Sequence, residues 1–198
     1  IKASDVTGKE LPVHMEIYTP GVVADSRLIL IVQISGATFP IVVDPMITTP
    51  SWMAESNQVD ANFGISVGTA GDVNGDGYSD VIVGAYLYDA GQSNEGRAYV
   101  FHGSATGLGV TPIWTADGNQ VDAYFGYPVA PAGDVNGDGY SDVIIGAYGY
   151  DNGQSNEGRA YVYHGGAGGL YASPAWTAES DQASANFGYS VAPAGDVN

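Results

Sequence analysis

The chain has 198 residues with 22 acidic against 5 basic side chains, a net charge of −17, which argues against nucleic acid or an anionic membrane surface as partner. It has no cysteine, so no disulfide scaffold, and its longest apolar run, residues 28–32, is too short to span or insert into a bilayer. The 29 glycines and 14 tyrosines suit a β-rich protein with many tight turns.

Residues 1–45 read as short strands. Val13, Met15 and Ile17 alternate along the first strand, 12–17, with the period of two expected of a half-buried strand. Residues 28–34 form a more fully buried strand, and 39–43 follow after a Ser35-Gly36 turn. Residues 46–51 then read as a connector, because Pro45 and Pro50 bias the chain to extended geometry on either side.

From Trp52 onward the chain repeats. Trp52, Trp114 and Trp176 are spaced by 62, as are Phe63, Phe125 and Phe187, each followed by glycine. Residues 52–113 and 114–175 differ at 18 of 62 positions, so 44 are identical, and 176–198 open a third copy. A period of this length marks stacked or radial repeats. Each copy reads as four strands, at 66–70, 80–86, 97–102 and 113–116 in the first, and no stretch has helical periodicity. Four strands per unit is the count of a propeller blade.

Within each copy lies Asp-Val-Asn-Gly-Asp-Gly-Tyr-Ser-Asp, at 72–80 and unchanged at 134–142; Asp196 to Asn198 repeat its opening. A hard divalent cation such as Ca²⁺ takes about six to eight oxygens, which a short loop supplies by curling around the ion. Asp72, Asn74 and Asp76 offer side-chain oxygens, Tyr78 its carbonyl, and Asp80 closes the shell. Asp134, Asn136, Asp138, Tyr140 and Asp142 do the same one period on, and Asp196 and Asn198 supply the first two ligand positions of a third loop. A plain hairpin turn is the simpler reading of Asn-Gly and Asp-Gly, but three carboxylates in nine residues repel one another unless a cation lies between them. An EF-hand is excluded, because its twelfth position is Val83 or Ile145 instead of glutamate and neither flank is helical.

Phe63-Gly64, the loop and Gly84-Ala85-Tyr86, each recurring one period on, resemble FG-GAP repeats, the blades of integrin α-subunit propellers and of many secreted bacterial proteins. The resemblance covers 52–198 and implies an all-β chain of four-stranded blades in a partial β-propeller, Ca²⁺ in the loop between the first two strands, and an extracellular or cell-surface location. Tyr86 and Tyr148 stand where the family usually has proline. Residues 1–45 more loosely resemble the β-rich segment preceding such repeats in large bacterial surface proteins.

Other candidates for chemistry are weaker. Residues 64–68 fit a nucleophile-elbow pattern, yet the next copy reads Gly-Tyr-Pro-Val-Ala and no strand-to-helix turn follows. His102 and His164 are repeat-equivalent, which suits hydrogen bonding at a blade edge better than catalysis. Without cysteine, a zinc site of the usual ligand set is not expected. Arg97 and Arg159 suit carboxylate or sugar recognition, but both repeat together with acids, which favours ion pairs with Glu95 and Glu157 or with Asp89 and Asp151. Tyr86, Tyr88, Tyr148 and Tyr150 offer rings for sugars to stack on.

These readings lead to a non-enzymatic, Ca²⁺-binding extracellular module for adhesion, surface structure or protein interaction, with a protein or glycan ligand. The alternative is a carbohydrate-binding or accessory module of a secreted polysaccharide-degrading enzyme. Two blades and the opening of a third do not close a propeller of four to eight. The expectation is therefore that further 62-residue repeats follow in the parent chain. Head-to-tail self-association, with strands from 1–45 covering a neighbour's exposed blade, is the alternative.

Overall fold

The computed structural model describes residues 2–18, 27–33, 35–38, 41–44 and 50–195. The chain divides into two compact units, residues 1–51 and 52–198. Every regular element among the described residues is a β-strand.

In the first unit, β1 (Lys2–Asp5) pairs antiparallel with β2 (Glu10–Leu11) on one side and with β5 (Ile41–Asp44) on the other. A separate hairpin joins β3 (Val13–Tyr18) to β4 (Arg27–Val32), with Val13 opposite Val32 and Ile17 opposite Leu28. The strands expected at 12–17, 28–34 and 39–43 are present with ends shifted by a residue or two; Ile34 and residues 39–40 lie outside the described residues, as does most of the 46–51 connector. β1 and β2 were not anticipated, being too short to show a period. Asp5 holds them: its Oδ1 accepts from the hydroxyl and N–H of Thr7 and from the N–H of Lys9, and its Oδ2 from the N–H of Thr38. These bonds, led by the Thr7 hydroxyl, lower the Asp5 carboxyl to about 2.

The second unit holds two four-stranded antiparallel blades. The first runs β6 (Ser66–Gly71), β7 (Asp80–Ala85), β8 (Arg97–Phe101), β9 (Trp114–Asp117); the second runs β10 (Val129–Gly133), β11 (Asp142–Ala147), β12 (Arg159–Tyr163), β13 (Trp176–Glu179). In both, the ladder slips by one residue where the loop of 72–80 or 134–142 is inserted. The blades face one another across a shared core, in which Val73, Ile82, Val100 and Trp114 of the first meet Phe125, Val143, Ile145 and Tyr163 of the second.

The recurrent glycines set how closely the blades approach. A Cβ on Gly84 would lie 1.8 Å from the carbonyl oxygen of Gly126, and one on Gly146 would lie 2.1 Å from that of Gly188. The glycine after phenylalanine in one repeat thus seats against the glycine before alanine in the repeat preceding it, with no room for a side chain on either.

Candidate metal centre

Each nine-residue loop is curled by its own side chains. Asp72 Oδ1 accepts from the N–H groups of Gly75 (2.7 Å) and Asp76 (3.1 Å), and its Oδ2 from Gly77 (2.8 Å). Asn74 Oδ1 accepts from the Asp76 N–H, and Asp76 Oδ1 from the Tyr78 N–H. Gly75 and Gly77 have φ of 74° and 87°, the left-handed region that lets the chain fold back over Asp72. The second loop repeats this pattern, with Gly137 and Asp138 on Asp134 Oδ1, Gly139 on Oδ2, and Tyr140 on Asp138. The bond from the Tyr78 N–H, then that from the Asn74 amide, lowers the Asp76 carboxyl below its ordinary value; Tyr140 and Asn136 do the same for Asp138.

Asp80 and Asp142 differ from the rest of the set. Both are fully buried. Asp80 Oδ2 accepts from the Val73 N–H at 2.9 Å and Oδ1 from the Gly103 N–H at 2.8 Å, stapling the start of the loop to the end of β8. Asp142 binds Val135 and Gly165 in the same way. Sequence spacing treats this residue as a fifth ligand and gives no sign of the staple, because Gly103 and Gly165 lie 23 positions away.

The two loops are identical in sequence but not in surroundings. Ser141 of the second blade grips the first loop: its N–H donates to the Asp72 carbonyl, and its hydroxyl accepts from the Asp72 N–H. The Tyr140 ring lies over Gly75, where a Cβ would meet Cε1 at 2.6 Å, whereas a Cβ on Gly137 of the second loop meets nothing within 4 Å.

The donors fit a hard cation. Each loop offers carboxylate, amide and carbonyl oxygens within nine residues, and most of these oxygens accept a single N–H, leaving lone pairs free. Among the described residues, no three acid or histidine side chains converge into a ready-made metal cluster. Asp196 and Asn198 lie outside the described residues.

The remaining candidates have structural roles. Ser66 Oγ accepts from the Val129 N–H, so the residue of the elbow-like pattern links the blades. His102 Nδ1 lies 3.2 Å from the Asn74 amide nitrogen, and His164 Nδ1 lies 3.2 Å from that of Asn136, at the blade edge as expected.

The arginines pair differently from the expectation. Arg97 forms a two-pronged bond to Asp117 and stacks 4.2 Å over Tyr88, while Arg159 bonds Glu179 and stacks 4.0 Å over Tyr150. These acids lie directly opposite in the adjacent strand. Glu95 instead accepts from the N–H groups of Ala90, Gln92 and Asn119. Tyr88 and Tyr150 are therefore partly covered by arginine. Tyr86 and Tyr148 join Tyr124, Tyr127 and Tyr189 in one cluster, with Tyr124 stacked on Tyr148 at 4.9 Å. The cluster sits at the ends of β7 and β11 away from the loops, a strand of six residues or about 20 Å distant.

Residues 63–101 and 125–163 match the FG-GAP repeat. Each match runs from the phenylalanine before the blade's first strand through the nine-residue loop to the end of its third strand. Similar proteins are integrin α-chains. Integrin alpha-6 of Gallus gallus is 37% identical over 143 residues, covering 71% of this chain and 13% of the relative. Integrin alpha-3 of Cricetulus griseus is 34% identical over 150 residues, covering 73% and 14%. Integrin alpha pat-2 of Caenorhabditis briggsae is 42% identical over 90 residues, covering 43% and 7%. The chain thus spans about an eighth of the length of the first two relatives. These relatives are animal proteins, so the bacterial variety of FG-GAP protein suggested by the sequence is not borne out.

Proposed function

We propose that the repeat unit is a non-enzymatic, Ca²⁺-stabilised module that works outside the cell or at its surface in adhesion, surface structure or protein interaction. The observation that carries this reading is the pair of loops, two identical oxygen-donor sets curled by the same hydrogen bonds on adjacent FG-GAP blades. Similarity to integrin α-chains supports it. Asp72, Asn74, Asp76, the Tyr78 carbonyl and Asp80 would hold one ion, and Asp134, Asn136, Asp138, the Tyr140 carbonyl and Asp142 another. Asp196 and Asn198 would begin a third set. The ion supplies charge balance for three carboxylates per loop; the chain supplies a curl that is already formed.

A melt tests the reading. Saturation of one site a hundredfold over its dissociation constant adds about 2.7 kcal/mol. The melting temperature should fall in excess chelator and recover with Ca²⁺, but only weakly with Mg²⁺, which dehydrates reluctantly. An unchanged melt in chelator would sink the proposal. The tyrosine cluster supports a second reading, binding of neutral glycans, since aromatic faces suit sugar rings and the chain's negative charge disfavours acidic ones. A glycan array with no Tyr148-dependent signal would remove it.

A further inference from the structure

The second repeat departs from the first at its tyrosines. Tyr124 stands where the first repeat has Asn62 and the third has Asn186, and all three take a left-handed backbone, with φ of 56°, 53° and 52°. Asparagine adopts that conformation readily, whereas a bulky aromatic residue adopts it only against steric resistance. Gly149 stands where the first repeat has Leu87, and it makes the room. A Cβ there would lie 2.7 Å from Cδ2 of the Tyr124 ring. The two changes go together: one places a ring at a strained position, and the other clears the space that the ring fills. Strain held in place by its surroundings points to a use.

The ring gains a partner. Tyr124 stacks on Tyr148 with centroids 4.9 Å apart and planes 17° from parallel. In the first repeat Tyr86, the equivalent of Tyr148, has no such ring beside it from its own repeat and instead accepts from the Asn62 amide at 3.3 Å. The other contacts of the tyrosine cluster are tilted or edge-on, at 44° to 77° and 5.3 to 6.0 Å. The stacked pair lies within the complete second repeat and is flanked on both sides, by Tyr86 of the first repeat and Tyr189 of the third. Both rings remain partly exposed.

A proton acceptor is already at hand. The Asp122 carboxylate is held by the Asn94 amide at 2.8 Å. Burial, then the charge of Asp122 and its hydrogen bond with the phenol, keep Tyr124 above its ordinary value. The phenol therefore stays protonated beside a carboxylate that can take its proton when the ring loses an electron.

We propose that Tyr124 and Tyr148 are the site of a dityrosine cross-link within one chain, driven by hydrogen peroxide through a one-electron oxidant of the haem-peroxidase class. Each phenol gives up one electron and its proton, Asp122 taking the proton of Tyr124 and water that of Tyr148. The two ring radicals join through carbons ortho to their oxygens, forming one C–C bond. The hydrogen on each of those carbons then leaves as a proton and one returns to each phenolic oxygen. The pair has lost two electrons and two protons, and one peroxide has become two waters. The chain, which has no disulfide, gains a covalent tie that closes a loop over residues 125–147. That loop contains the whole of 134–142, so the bond restricts the unfolded chain around the second oxygen-donor set.

The test is peroxidase and hydrogen peroxide on the dilute full chain, read by dityrosine emission and by peptide mapping of the band at the 20.4 kDa of one chain. The link between Tyr124 and Tyr148 should exceed every other intrachain pair by about tenfold, as expected for groups held in reacting geometry. The cross-linked protein should melt above the untreated protein. Tyr124→Phe keeps the ring and the stack but lacks the phenol, so it should fold as the wild type does and lower the intrachain yield about tenfold. Tyr127→Phe should leave that yield unchanged, and Asp122→Asn should slow the coupling. Absence of intrachain dityrosine in the folded wild type overturns the proposal, and so does a yield undiminished by Tyr124→Phe. The same product profile from the chain in denaturant also overturns it, since the fold would then not select the pair.

Discussion

Asp80→Ala separates the two roles that the last residue of the loop combines. Its carboxylate accepts from two N–H groups, of Val73 and Gly103, and the site is fully buried. Truncation leaves both donors without an acceptor where water does not replace it. At about 1–3 kcal/mol for each orphaned buried group, the loss is about 2–6 kcal/mol, with no cation involved. Asp72→Ala is the contrasting change, because its partners Gly75, Asp76 and Gly77 are exposed and can turn to water. Its loss without metal should be about 1 kcal/mol, an ordinary exposed hydrogen-bond contribution. The assay is denaturant unfolding followed by tryptophan fluorescence, in excess chelator and again in Ca²⁺. All three tryptophans, at 52, 114 and 176, lie in the repeat unit, so the signal reports that unit alone. Asp80→Ala should be the more damaging change in chelator, and Asp72→Ala should chiefly lose the response to Ca²⁺ from its own loop. If Asp80→Ala unfolds with the wild type in chelator, the staple is not what holds the loop.

Gly84→Ala should destabilise by about 3 kcal/mol or more, at or above the upper end of ordinary overpacking, because its Cβ would lie 1.8 Å from a backbone oxygen that has nowhere to go; a denaturant midpoint near that of the wild type would refute it. Gly77→Ala meets no atom within 4 Å and has only its φ of 87° against it, so it should lose about 1–2 kcal/mol, the usual left-handed penalty. Burial pushes Tyr99 and Tyr163 up to about 12. The neutral phenols favour the folded state, so their contribution is whole below the unfolded value of about 10 and disappears as pH rises through about 12. Phenolate absorbance should show them ionising only with unfolding, and reversible titration near 10 with the fold intact would contradict this. Asp5 has the opposite sign. With its carboxyl lowered to about 2, its contribution is present above the ordinary aspartate value and lost as pH falls through about 2, and Asp5→Asn should flatten that part of an acid unfolding profile.

The strands and loops of the repeats are legible in the sequence because local signals agree there: Val81 to Val83 follow a turn-rich loop, and the whole pattern recurs after 62 residues. What the sequence hides is pairing set by distance in space. Arg97 could have met Glu95 two positions away; the antiparallel register places Asp117 opposite it and turns Glu95 towards backbone N–H groups. Asp80 looks like Asp72 and Asp76 in spacing, but it begins β7 and so faces the core, while the other two remain on the loop. β1 and β2 are held by the single carboxylate of Asp5 through partners as distant as Thr38, and no periodicity records that.

Ser141 has a consequence for how unequally the two loops would hold the proposed cations. Ser141 and Tyr140 complete the first loop while lying in the second, so the first loop is finished by the repeat that follows it. Two stretches of identical sequence should therefore show unequal binding constants, the earlier one tighter, in a calorimetric titration. Damage to either loop should weaken cation binding at the other, because the contacts of Ser141 with Asp72 couple the two and such coupling is reciprocal. Along an array of such repeats, emptying would begin at the last loop and travel back towards the first, giving the array a direction that its near-identical units do not show individually.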